Sequence, residues 1–158
     1  MRLSPLPALL PALILLGACL TEDSPPEPVI EDTVFAPSLA VDLAASTRLP
    51  SGMYIRDLTV GAGAVVQPGQ VVSVRYTGWL ADGTKFDERG PGAQPLVYPH
   101  AAGYVIAGWD IGLAGMRVGG VRQLVIPPDL GYGRLGQGPI PGNAILVFRV
   151  DLVAAQDP

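Results

Sequence analysis

The sequence predicts an α+β domain, an antiparallel sheet with one short helix packed on it, behind a polar N-terminal tail. Three observations point there. Twenty Gly and 17 Pro among 158 residues impose many turns and leave little room for long helix, while a hydrophobic fraction of 49% suffices for a packed core. Two runs, Val71 to Thr77 and Ala144 to Val153, alternate apolar positions at a period of two, as strands do. A third stretch places Trp109, Leu113 and Met116 at i, i+4 and i+7, the spacing of one helical face. The length allows one domain with a tail.

The chain opens with Arg2, an apolar run from Leu6 to Leu16, the small residues Gly17 and Ala18, and then Cys19. These are the parts of a secretory signal over residues 1–18. An apolar run interrupted by Pro7 and Pro11 is shorter than the roughly 20 residues a helix needs to cross a bilayer, so no permanent span is expected. Leu16-Gly17-Ala18-Cys19 resembles the lipobox of bacterial lipoproteins. That resemblance implies cleavage before Cys19, lipidation of its thiol, and a membrane anchor that does not span. It also implies an exported protein of the cell envelope, and Leu20, in place of the Asp associated with inner-membrane retention, favours an outer membrane, facing the periplasm. Residues 19–47 then read as an acidic, Pro-rich linker, with six acids and no Lys or Arg between residues 20 and 47. As a flexible coil such a linker would span roughly 30 Å r.m.s..

Residues 48–158 form the expected domain. Met53 to Val60 is the first strand, closed by Gly61 and Gly63. In Val71 to Thr77 the side chains of Val72, Val74 and Tyr76 share one face, which turns Tyr76 inward. Asp82-Gly83 is a hairpin-turn dipeptide with Thr84 to Asp87 beyond it, and Glu88 to Gln94, containing Gly90-Pro91-Gly92, reads as loop. The helix is expected from about Ala107, where Gly108, Gly112 and Gly115 each cost up to about 1 kcal/mol relative to Ala and leave its stability to tertiary packing. Val121 to Ile126 is a strand ended by Pro127-Pro128, and Gly131 to Gly142 is a long loop. In the last strand Leu146, Phe148, Val150 and Leu152 share a face.

Composition removes several function classes. One Cys and one His give neither an intrachain disulfide nor a usual zinc ligand set. From Arg48 onward there are nine basic and eight acidic residues, a net charge of +1, which offers nucleic acid no electrostatic footprint. Gly131 to Gly136 fits G-x-G-x-x-G, yet Pro127-Pro128 precedes it and no helix follows to receive a pyrophosphate. His100, in a Pro-His-Ala-Ala-Gly loop, reads as an exposed loop residue, and no G-x-S-x-G turn supplies a serine nucleophile. Asp87 and Glu88 are neighbours on a strand and point to opposite faces, so they do not form an acid/base pair. No cofactor or metal is implied. The aromatics Tyr76, Phe86, Tyr98, Trp109, Tyr132 and Phe148 remain, clustered near turns and segment ends.

Six strings occur in one order: Val74 to Leu80, Asp82 to Asp87, Val105 to Trp109, Met116 to Gly120, Ile126 to Gly133 and Ile140 to Phe148. Together they resemble the FKBP-type peptidyl-prolyl cis/trans isomerases, the macrolide-binding family, over about residues 50 to 154. The resemblance implies a curved antiparallel sheet wrapped around one short helix, with a ligand pocket between them. Trp109 corresponds to the pocket floor, Tyr76, Phe86 and Phe148 to its aromatic walls, and Val105 and Ile106 to contacts at the helix entrance. Tyr132 would hydrogen-bond ligand through its phenol, Ile140 would overhang from its loop, the Ile106 amide would donate to a substrate carbonyl, and Asp87 would be the polar group at the edge. Leu96, where many members carry an aromatic, is placed among the substrate contacts. Tyr104 stands where an acidic or polar residue is frequent, Arg89 where a basic partner for the aspartate is sought, and the loop from Arg134 to Pro139 is one residue shorter. The partners implied are proline-containing segments of unfolded or exported proteins and macrolides, with the protein acting as a monomer. A second reading is a proline-peptide or partner-binding module of the same fold without turnover.

The expected pocket suits that reaction. Rotation about a peptide bond faces about 18–20 kcal/mol because conjugation is broken, and uncatalysed prolyl isomerisation takes roughly 10–100 s. No covalent bond is made or cut, and the twisted amide has a less polarised carbonyl than the planar one. A dry, ring-lined hollow therefore favours it without nucleophile, metal or cofactor.

Overall fold

The computed structural model describes residues 26–158; the signal segment, the lipobox and Cys19 lie outside the described residues. Along the chain come β1 (Thr47–Arg48), β2 (Tyr54–Thr59), β3 (Val71–Leu80), β4 (Lys85–Arg89), β5 (Leu96–Pro99), α1 (Ala107–Gly112), β6 (Val121–Ile126) and β7 (Leu146–Gln156). All pairings are antiparallel, in the order β1-β2-β6-β7-β3-β4, with β5 also beside β3. An open antiparallel sheet carrying one short helix is the architecture that the sequence predicts. Strand β3 has two partners on one edge: β5 pairs with Val71–Val74 and β4 with Tyr76–Trp79. The Asp82-Gly83 turn closes the β3–β4 hairpin with Gly83 at φ +90°, a conformation L residues rarely adopt.

The inner face follows the period-two pattern. Val72, Val74 and Tyr76 of β3, Leu124 and Ile126 of β6, and Leu146, Phe148, Val150 and Leu152 of β7 bury against Trp109, Leu113 and Met116. Helix α1 has six residues and Leu113 is its C-cap, so Met116 follows the helix end, yet all three residues spaced for one face are inside. The glycines that weaken the isolated helix permit its docking. A Cβ at Gly108 would stand 2.5 Å from Ile126 Cγ2, and one at Gly112 2.8 Å from Leu124 Cδ2. Arg122, itself buried, fastens the far end: its guanidinium donates to both Asp57 carboxylate oxygens at 2.7 and 3.1 Å, and to the carbonyls of Gly112 and Ala114 at 2.9 and 3.0 Å.

Four expectations change. Strand β4 continues through Glu88 and Arg89, which the sequence assigned to loop, and β5 was not expected at all because Leu96-Val97-Tyr98 is too short to show a period. His100 is 1% exposed rather than a surface loop residue. It closes the end of β5, its amide donating to Gln70 O at 2.8 Å and its carbonyl accepting from Gly69 N at 2.9 Å.

The acidic segment departs most from expectation, because its described part from about Val29 packs on the outer face of the sheet instead of standing free in solvent. Ile30 and Leu39 are buried with Tyr54, Val125, Ile145 and Val147, and Phe35, Ala36, Val41, Leu43 and Trp79 close around them. Two short 3-10 turns, Ile30–Asp32 and Pro37–Leu39, let this strap change direction. Its apolar residues are sparse and lack a regular period, so composition registers the acids while the burial is invisible.

Candidate active site

Between the inner face, helix α1 and the loops at residues 100–106 and 131–142 lies a cavity of about 430 Å³. Tyr76, Phe86, Asp87, Leu96, Tyr104, Val105, Ile106, Trp109, Tyr132, Gln137 and Phe148 line it. Five of them have predictable local causes. Tyr76 and Phe148 are inward positions of β3 and β7; Phe86 and Asp87 follow the hairpin turn onto β4; Ile106 is the N-cap of α1, its carbonyl accepting from Trp109 N at 2.9 Å.

The rings interlock edge to face. Trp109 lies 4.9 Å from Tyr76 and 5.3 Å from Phe148, and Phe86 lies 5.5 Å from Phe148, with interplanar angles of 83°, 88° and 86°. Backbone makes room for them. A Cβ at Gly78 would stand 2.7 Å from Phe86 Cζ, so this position on the inner face of β3 has no space for a side chain. Trp109 is 3% exposed, forming a floor, and its Nε1 has no hydrogen-bond partner among the described residues.

Polar groups are few and mostly committed. The Tyr76 hydroxyl donates to Asp87 Oδ2 at 2.6 Å, while Asp87 Oδ1 accepts from Glu88 N at 2.8 Å. Burial, then the bond to Asp87, pushes the Tyr76 hydroxyl up to about 12. Arg89, opposite Tyr76 in the β3–β4 register, opposes that rise. Tyr132 is also pushed up, by burial and by the Asp87 charge. Both phenols stay protonated at neutral pH and can donate. Among the described residues no group of three or more His, Cys, Asp or Glu could hold a metal ion.

A model of the FKBP-type peptidyl-prolyl cis-trans isomerases matches residues 63–153. The chain belongs to this family. It is a peptidyl-prolyl cis-trans isomerase of FKBP type. The FK506-binding protein of Neisseria meningitidis serogroup B is 47% identical over 103 residues, which is 65% of this chain and 94% of that protein. FK506-binding protein 4 of Rhizopus delemar is also 47% identical over 109 residues, 68% of this chain, but the match spans only 28% of that longer relative. Among solved structures, FkpA from Escherichia coli superposes with a TM-score of 0.67 at 33% identity, covering 77% of this chain and 55% of that one. AtFKBP13 gives 0.65 at 35% identity, covering 69% and 97%.

Nine of the expected site residues of this FKBP domain meet at the cavity: Tyr76, Phe86, Asp87, Leu96, Val105, Ile106, Trp109, Tyr132 and Phe148. Ile140 does not line it. The turn at Gln137 and Ile140 closes with reciprocal amide-to-carbonyl bonds of 2.9 Å, and Ile140 packs 6% exposed in the main core. Gln137 lines the cavity instead, and so does Tyr104, 72% exposed. Neither was expected there. Tyr104 sits two residues before the helix cap, and that spacing is the only sequence signal for it.

Proposed function

We propose that the domain accelerates rotation about X-Pro bonds in exported proteins by binding the prolyl ring in the ring-lined cavity, displacing water from the substrate amide and favouring its twisted form. What supports the reading is one cavity lined by six aromatic side chains, with Tyr76 and Phe148 edge to face on the floor Trp109, while the carboxylate is already engaged by a tyrosine and a backbone amide. Water removed from the planar, polarised carbonyl is missed less by the twisted one, so desolvation selects the transition state. A ten-thousand-fold acceleration requires about 5.5 kcal/mol. Ring burial, amide twisting and one donor to the substrate backbone share it. The Ile106 amide, at a helix start where N–H groups have no intrahelical acceptor, is the donor assigned here. Tyr132 gives a second hydrogen bond to the ligand.

The relatives are FK506-binding proteins, and the same ring-lined cavity is the place for a macrolide in this chain. Attachment through lipidated Cys19 would hold the domain near a membrane, where exported chains emerge. Mass spectrometry of the mature N-terminus tests that anchor: a diacylated or triacylated Cys19 supports it, and an unmodified N-terminus beyond residue 19 removes it.

A protease-coupled assay on a proline tetrapeptide tests the mechanism. Turnover above the uncatalysed rate, reduced in Trp109→Leu while circular dichroism is unchanged, is the expected result. Peptide binding without turnover would leave only a binding module.

A further inference from the structure

We infer that the strap at residues 29–46 is a positioning element of the isomerase site, holding from behind the hairpin that carries Phe86 and Asp87. The inference rests on the isomerase reading of the cavity and deepens it, because the strap lies wholly before residue 63, where the match to the family begins.

The hairpin needs such support. Strand β4 is an edge strand, paired only with β3, and the pairing is irregular between Gly78 and Trp79. Edge strands open at low cost because one side of their backbone has no ladder. Phe86 and Asp87 ride on this strand, so its opening would move one cavity wall and the acceptor of the Tyr76 hydroxyl.

The strap meets the hairpin at its tip and the sheet at its centre. Ala36 N donates to Ala81 O at 2.8 Å, beside the Asp82-Gly83 turn, and a Cβ at Gly83 would stand 3.0 Å from Ala36 Cβ. Gln123 of central strand β6 donates through Nε2 to Leu39 O at 2.7 Å, a buried bond. Glu31 accepts from the Tyr54 hydroxyl at 2.7 Å and from Arg48 Nε at 2.9 Å. One short segment thereby bridges β2, β6 and the hairpin tip.

The strap also packs directly behind the cavity wall. Trp79 and Val147 are opposite one another and belong to the outer apolar cluster; their chain neighbours Gly78 and Phe148 are the next register pair and face inward. Successive residues on a strand point to opposite faces, so a shift of the strap on Trp79 and Val147 is transmitted to the Gly78–Phe148 pair through one rigid backbone.

Full-chain Ala36→Pro tests this at the contact between strap and hairpin tip. Ala36 has φ −58° and ψ 134°, a conformation proline adopts, so the substitution fits the strap's own backbone while it removes the donor to Ala81 and sets ring Cδ where the amide hydrogen stood, driving strap and hairpin tip apart. Leu39→Ala loosens the apolar anchor independently. At a temperature where each variant remains folded by circular dichroism, we expect KM for a proline tetrapeptide to rise about threefold to tenfold with a smaller change in kcat. Amide hydrogen exchange should quicken over residues 84–89 as well as in the strap. Unchanged kinetics with exchange quickened only within residues 29–46 would overturn the inference and leave the strap a stabiliser of the outer face. Should the wild-type chain show no turnover, the isomerase reading fails separately, and exchange at residues 84–89 still decides whether the strap holds the hairpin.

Discussion

Gly78 and Phe148 face each other across β3 and β7, and a Cβ added to Gly78 would stand 2.6 Å from Phe148 Cε1. The cavity wall is therefore built around a missing side chain. Gly78→Ala should separate Phe86 from Phe148, costing about 1–3 kcal/mol of stability as an overpacked core does. It should also lower kcat/KM more than its effect on folding explains. Urea unfolding together with the tetrapeptide assay checks both; an active, fully stable variant would show that the rings move aside freely.

Asp87 accepts the Tyr76 hydroxyl at 2.6 Å through one oxygen and the Glu88 amide through the other; an asparagine keeps an acceptor for Tyr76, a weaker one, and gives up the bond from Glu88. Asp87→Asn should retain turnover within about tenfold of wild type, since loss of a general acid or base typically removes about a hundredfold or more. Its pH–rate profile should match the parent's. A collapse of activity, with a titration in the wild-type profile that the variant lacks, would mean that the carboxylate moves a proton.

His100 carries a pH dependence of stability. Burial lowers its pKa below the ordinary 6.5, and the charge of Asp110, whose Oδ1 is 3.9 Å from His100 Nδ1, opposes that shift only in part. The unfolded chain thus takes up the proton first as pH falls. Stability from neutral His100 is complete above the unfolded value and is lost as pH falls through the lower folded one. Between about pH 7 and pH 5 the wild-type melting temperature should drop further than that of His100→Leu. Parallel curves would remove His100 from the account.

Arg122 joins Asp57 on β2 to the carbonyls of Gly112 and Ala114 at the end of α1. Arg122→Leu leaves these acceptors without their buried donor and should destabilise the domain by about 2–4 kcal/mol. Because Trp109 rides on the same helix, its fluorescence should change in the folded variant. Chemical denaturation and emission spectra give both readings.

Most of the site was legible because it lies on regular elements. Tyr76 and Phe148 are inward by alternation, Phe86 and Asp87 follow an Asp-Gly turn, and Trp109 is fixed by the helical spacing with Leu113. What escaped lies on irregular backbone. Gln137 takes the place at the cavity expected of Ile140, at the other end of a four-residue turn, and Tyr104 joins the rim from a loop with no period. His100 lies inside against expectation because a Pro-His-Ala-Ala-Gly string reads as a turn whether or not its imidazole is covered.

The sequence by itself determined the strands' inward faces, the hairpin turn and the short helix, since each follows from neighbours a few residues apart; the aromatic cavity was implied by the resemblance to the FKBP family. Only the tertiary structure decided that both faces of β7 are buried, Phe148 against the helix and Val147 beneath the strap. Alternation reports which side chains share a face. What covers that face is set by contacts such as Gln123 to Leu39, 84 residues apart, where burial of scattered apolar groups outweighs a local composition that favours solvent.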